Sequence, residues 1–137
     1  MRILSMDVGD KRIGMAISDA LGWTAQGIET LTRRDNQSDL DIIQDILDRY
    51  KPRKIVIGLP KNMNGSIGPQ GEKVIAFADR LKSCFNVEIV FWDERLTTVS
   101  AHKAMLEADM SRKKRKQKAD QVAAVLILQS YLDYLNR

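Results

Sequence analysis

The feature that most constrains this chain is a short apolar run, Ile55-Val56-Ile57-Gly58-Leu59, set directly behind a helical stripe. A run of that length, rich in branched residues, fits a strand covered on both faces. The stripe before it, Leu40, Ile43 and Leu47 with Ile42, Ile46 and Tyr50, has helical spacing and stops at Pro52. A strand entered from a helix in this way implies a parallel crossover. The pattern then repeats: helical spacing resumes at Val74, Phe77, Ala78, Leu81 and Phe85. Val87 to Trp92 is a second apolar strand, interrupted only by Glu88, and it ends in Asp93-Glu94-Arg95.

The N-terminal third reads differently. Met1 to Met6 is strand-like, Ile13 to Ile17 is its partner across a tight turn at Gly9, and a third strand is expected near Thr24 to Leu31. Ser38 with Asp41 resembles a capping box at the start of the first helix. Pro60 to Gly71 reads as a loop. Thr97 or Thr98 can cap a helix to about Ala108. A basic loop follows, then a final helix from about Lys118 to Leu135, whose run Val122 to Leu128 is apolar on most sides and belongs against a sheet. The expected fold is α/β in one domain over residues 1–137: a mixed five-stranded sheet, with a three-strand antiparallel meander plus two parallel strands, flanked by helices.

Composition excludes several function classes. No apolar run reaches the roughly 18 to 20 residues of a membrane span, and Met1 leads into a strand without a signal-peptide pattern, so the expected location is the cytoplasm. The one cysteine, Cys84, beside Phe85, cannot form an internal disulfide and reads as a small core hydrophobe. With one histidine, His102, expected to be solvated or capping, neither a His-rich metal site nor a Ser/His/Asp hydrolase is expected. The net charge of +4 is unevenly placed: Arg112, Lys113, Lys114, Arg115, Lys116 and Lys118 fall in one short segment, and without them 16 basic residues face 18 acidic ones. Such a run either holds phosphates, with affinity that falls steeply with salt, or forms a solvated surface. Its position immediately before Asp120 favours the first.

Three acids have positions that suit chemistry. Asp7 ends the first strand, Glu94 follows the last, and Asp120 is expected in the first turn of the final helix. Strands entered from crossover helices align their C-terminal ends on one edge, where ligands bind, so Asp7 and Glu94 converge if their strands are neighbours. Gathered acids repel unless a cation lies between them, and divalent ions reverse the sign of that interaction. Each acid has a structural alternative: Asp7 as a turn former, Glu94 paired with Arg95 or capping a helix, Asp120 stabilised by the helix dipole. Asp10 and Asp93 read as turn or helix-start residues.

The chain resembles the YqgF family of ribonuclease H-like proteins, also described as RuvX-like, as Holliday junction resolvase-like and as pre-16S rRNA nucleases. The resemblance rests on Asp7-Val8-Gly9 with Lys11, Arg12 and Gly14, and on Gly58-Leu59-Pro60 followed by Asn64-Gly65. It continues through Trp92 to Thr98 and Lys118-Ala119-Asp120 followed by Ala123-Ala124. It implies a ribonuclease H-like fold in which Asp7, Glu94 and Asp120 form an acidic site for Mg2+ or Mn2+, with Asp10 either a fourth acid near the metals or a turn former. Such ions take oxygen ligands, lower the pKa of a bound water and stabilise a leaving oxygen. The implied activity is metal-dependent hydrolysis of phosphodiesters in structured nucleic acid, with 5'-end processing of precursor 16S ribosomal RNA ahead of junction resolution. Lys11, Arg12 and Arg95 join the basic run as expected phosphate contacts. The loop 60–71 is either a phosphate cradle or a plain connection.

Two other classes compete. A nucleic-acid-binding factor of the same fold predicts salt-sensitive binding that ignores chelator. An actin-like nucleotide-binding fold normally needs two lobes and a longer chain. Nothing in the residues themselves separates RNA from DNA.

Overall fold

A computed structural model describes residues 2–97 and 112–137, without the side chains of 112–118. Its centre is a sheet in the order β3-β2-β1-β5-β6, made of β1 (Ile3–Val8), β2 (Arg12–Ser18), β3 (Ala25–Gly27), β5 (Lys54–Leu59) and β6 (Glu88–Asp93). A two-residue strand, β4 (Leu31–Thr32), also pairs with β2. β1 and β2 are antiparallel, with Leu4 opposite Ile17 and Asp7 opposite Gly14. β1, β5 and β6 run parallel, with Met6 beside Ile57 and Gly58 beside Trp92. The expected meander and parallel pair are present. The third strand is broken in two between Gly27 and Leu31, giving, among the described residues, six strands in five sheet positions.

β5 is an interior strand between β1 and β6, buried from Ile55 to Leu59, as its sequence requires. One face of the sheet carries Leu4, Met6, Ile13, Met15, Ile55 and Ile57, packed against Ile43 and Ile46 of α1 (Asn36–Tyr50) and Val74, Phe77 and Leu81 of α2 (Pro69–Cys84). The side chain of Asp35, not the Ser38/Asp41 pair, caps α1, its Oδ1 accepting from the Ser38 N–H at 2.8 Å. Lys51 closes that helix in the left-handed region at φ 48°. Pro69 begins α2, so the expected loop to Gly71 ends earlier. Cys84 is exposed at the last residue of α2 and is not a core hydrophobe, because the helix ends there and leaves its last turn open to water.

The opposite face carries Ser5, Ala16 and Val56 and is covered by α3 (Arg112–Leu135) through Ala123, Ala124, Ile127, Leu128, Tyr131 and Leu132. Small residues let this helix come close: the buried Ser5 Oγ donates to the Ala124 carbonyl at 2.7 Å. α3 starts six residues before the expected Lys118, so the basic run is helical backbone and not a loop. Charged residues without an apolar stripe carry no periodicity that announces a helix. The expected helix from Thr97 or Thr98 to Ala108, and His102 within it, lie outside the described residues. Among the described residues no helix is long and apolar enough to cross a membrane.

Candidate acidic site at the sheet edge

Asp7 lies inside β1 rather than at an exposed end, and it is 7% exposed. The turn behind it is closed by the Gly9 N–H donating to the Arg12 carbonyl at 2.9 Å. Alternation along β1 sets Ser5 and Asp7 on the face that α3 covers. Directly opposite Asp7 stands Gly14. A Cβ at position 14 would collide with the Asp120 carbonyl and lie 3.1 Å from the Asp120 Cβ. Opposed residues of an antiparallel pair hold their Cβ positions about 5 Å apart on one face. The vacancy at Gly14 therefore admits the Asp120 backbone at the strand position opposite Asp7.

Asp120 is the ninth residue of α3, not part of its first turn, so the helix dipole does not account for an acid there. Its Oδ2 accepts from Arg12 Nε at 3.0 Å, and the two side chains are 19% and 24% exposed.

Glu94 opens one turn of 3-10 helix, Glu94–Leu96, directly after β6. β1 and β6 are not neighbours, as the simple convergence argument requires, because β5 runs between them. A second vacancy resolves this. A Cβ at Gly58 would meet Glu94 Oε1 at 2.8 Å and Ile127 Cδ1 at 2.5 Å, so the glutamate reaches back over β5 on the α3 face. The β1–β5 register, carried one residue past Met6 and Ile57, sets Gly58 beside Asp7. All three acids thus belong to one end of one sheet face. Even so, among the described residues no three Asp, Glu, Cys or His side chains close up far enough to hold a metal ion.

The expected phosphate contacts divide. Lys11 is exposed at the turn. Arg12 is engaged with Asp120. Arg95 is also engaged: its Nη2 lies 2.7 Å from Asp93 Oδ2, and its Nη1 donates to the Met63 carbonyl at 3.3 Å. These bonds clip the Glu94 turn to the loop after β5. The Arg95 guanidinium, hydrogen-bonded to Asp93, holds that carboxyl below the ordinary aspartate value of 3.8. Asp93 also accepts from the Arg95 N–H and starts the 3-10 turn, as a helix-start acid should.

The loop has its own order. Gly65 has φ 86°, the Asn62 N–H donates to the Ser66 carbonyl, and Asn64 Oδ1 accepts from the Ser66 N–H and hydroxyl. Three of its amides, those of Asn62, Gly65 and Ser66, are already used internally, which favours a plain connection over a phosphate cradle. Asp10 is exposed and pairs with Lys73 of α2 at 3.3 Å, in keeping with a turn former. The side chains of Arg112 to Lys118 lie outside the description.

Sequence reasoning valued the acids and passed over Gly14 and Gly58 as part of the site. Their signal was available: each is a glycine inside a run otherwise built of strand formers, a pattern that marks close approach.

A family model described as RuvX: Holliday junction resolvase matches residues 1–134. The chain belongs to the RuvX family. A relative from Clostridium tetani named "Putative pre-16S rRNA nuclease" is 61% identical over 133 residues, covering 97% of this chain and 96% of its own length. One of the same name from Clostridium botulinum strain Hall is 59% identical over 137 residues and covers both chains in full. Among solved structures, Thermus thermophilus RuvC in complex with a Holliday junction substrate aligns with TM-score 0.57 at 10% identity, over 99% of this chain and 96% of that one. The fowlpox virus Holliday junction resolvase aligns with TM-score 0.56 at 19% identity, over 98% and 99%. These structures establish that the RuvX chain has the ribonuclease H-like fold of the resolvases.

Proposed function

We propose that this RuvX chain is a divalent-metal-dependent nuclease that hydrolyses phosphodiester bonds in structured nucleic acid, and that it processes the 5' end of precursor 16S ribosomal RNA. Full-length relatives named for pre-16S rRNA support the substrate, and the resolvase fold supports the reaction class. The observation that carries the reading is the pair of vacancies at Gly14 and Gly58, through which Asp120 and Glu94 approach the buried Asp7 from two other elements. Carboxylates gathered at one edge repel one another, and a cation bound among them offsets that repulsion.

Asp7, Glu94 and Asp120 fit Mg2+ or Mn2+ by donor type, since all three present oxygen. Such ions, when bound, supply a nucleophilic water and stabilise the leaving oxygen of an in-line displacement. In this assignment Asp7 holds the fixed position, because β1 is paired on both sides. Glu94 and Asp120 complete the donor set through side-chain rotation. Lys11 and the basic start of α3 hold phosphates of the substrate, and burial under α3 excludes water from the Asp7 side. The whole chain acts as one domain in the cytoplasm, consistent with no membrane-crossing helix among the described residues.

The test sets purified protein with Mg2+ or Mn2+ against precursor 16S RNA and a synthetic four-way junction, side by side. Cleavage of the RNA at its 5' end, lost in Asp7→Asn with binding retained, is the expected result. Junction cleavage alone would move the assignment to resolution. A second reading, a binding factor that does not cut, draws on the lack of a closed three-acid cluster among the described residues. It predicts RNA binding with no metal-dependent product, and equal products from parent and Asp7→Asn would overturn the acid site.

A further inference from the structure

The acids reach one edge of the sheet, and one of them, Asp120, is ion-paired there with Arg12. Arg12 begins β2, its backbone fixed opposite Thr32, while its long side chain reaches the ninth residue of α3. The Asp120 backbone cannot follow a ligand, because its carbonyl is already against Gly14. Only the carboxylate can turn. A guanidinium within 3.0 Å of it acts as an internal counter-charge where three acids converge. The same guanidinium has a planar fork of donors that suits a phosphate as well as a carboxylate.

We propose that Arg12 is an exchange residue: in the unliganded protein it holds Asp120 away from Asp7 and Glu94, and a phosphate of the nucleic acid draws it off, releasing Asp120 to the cation. The inference rests on the acidic metal-site reading and adds a coupling to it. Cation binding and nucleic-acid binding favour each other because each takes one member of the same ion pair. Reciprocity is then required: RNA tightens the metal by the factor by which metal tightens RNA. Arg12 is a positioning residue in this scheme, since it acts on the site through Asp120 until phosphate arrives.

The experiment measures Mn2+ affinity of the full chain from the paramagnetic resonance of the free ion, without nucleic acid and with a short RNA duplex. Asp7→Asn with the same duplex gives the metal held by RNA alone. The parent is expected to bind Mn2+ about tenfold more tightly with the duplex than without it, the ordinary scale of a coupling between two sites. Arg12→Gln is expected to bind at the tighter value from the start, with the duplex adding less than about twofold. Arg12→Lys, which keeps the competing charge, should stay with the parent. An Arg12→Gln protein that binds Mn2+ no more tightly than the parent overturns the exchange, and weaker binding would make Arg12 a support that holds Asp120 in place for the metal. If that variant fails to fold, a parent affinity unmoved by the duplex overturns it equally well. Failure of the underlying site looks different: parent and Arg12→Gln would then both bind Mn2+ no better than Asp7→Asn.

Discussion

A methyl group added at position 14 meets the backbone of α3, which cannot yield, whereas one added at position 58 meets the ends of two side chains, Ile127 Cδ1 and Glu94 Oε1. Gly14→Ala is therefore expected to cost about 3 kcal/mol of unfolding free energy and Gly58→Ala about 1 kcal/mol, both read from denaturant midpoints. Activity should rank differently, since Gly58→Ala displaces Glu94 and should abolish cleavage despite its milder effect on stability. Asp93 allows a pH test. Its folded pKa lies below its unfolded value, so its bond to Arg95 contributes stability that is complete above pH 3.8 and is lost as pH falls below it toward the folded value. Melting of Asp93→Asn should accordingly fall below the parent at neutral pH and approach it in acid; a constant difference down to pH 2 would sink the assignment. The acids themselves were legible in the sequence because each stands beside a strand or an apolar helical run. The Arg12–Asp120 pair was not, since its members are 108 residues apart and meet only once α3 has docked across β2.

The elements show what periodicity carries. α1, β5 and α2 were legible because their apolar residues repeat at helix or strand spacing. β3 and β4 are short, and the exposed Gln26 and Gly27 give no alternation to read, so one strand was expected where two occur. The first turns of α3 hold only charged and polar residues, and its register is set by the apolar half packed on the sheet. The cap of α1 is a competition between two nearby residues, Asp35 and Ser38. Asp35 wins because its side chain receives both the Ser38 N–H and the Ser38 hydroxyl. Asp35→Ala should cost about 1 kcal/mol, and Asp41→Ala close to nothing, in parallel thermal melts.

Over the whole molecule, charge and burial are arranged across the sheet. The α1 and α2 face holds the larger apolar cluster, while the α3 face holds Asp7 and leads at its open end into the basic helix start. Replacing Arg112, Lys113 and Lys114 with Gln should lower the slope of log affinity for RNA against log salt by about 2 to 3, nearly one per lost phosphate contact. In chelator, Asp7→Asn should melt at or above the parent temperature, because a buried like charge is removed, and added Mn2+ should then raise the parent more than the variant. A large loss of stability in chelator would make Asp7 a structural hydrogen-bonding residue.

The position of α3 after every strand in the sequence has a consequence for synthesis. While the ribosome is still making the helix, β1, β2 and β5 can already pair and bury their other face under α1 and α2. Ser5, Asp7, Ala16 and Val56 stay wet until α3 has emerged from the exit tunnel and docked. A chain caught before α3 has emerged thus leaves Asp7 in water, and the late docking of that helix is what dries and closes the second face of the sheet.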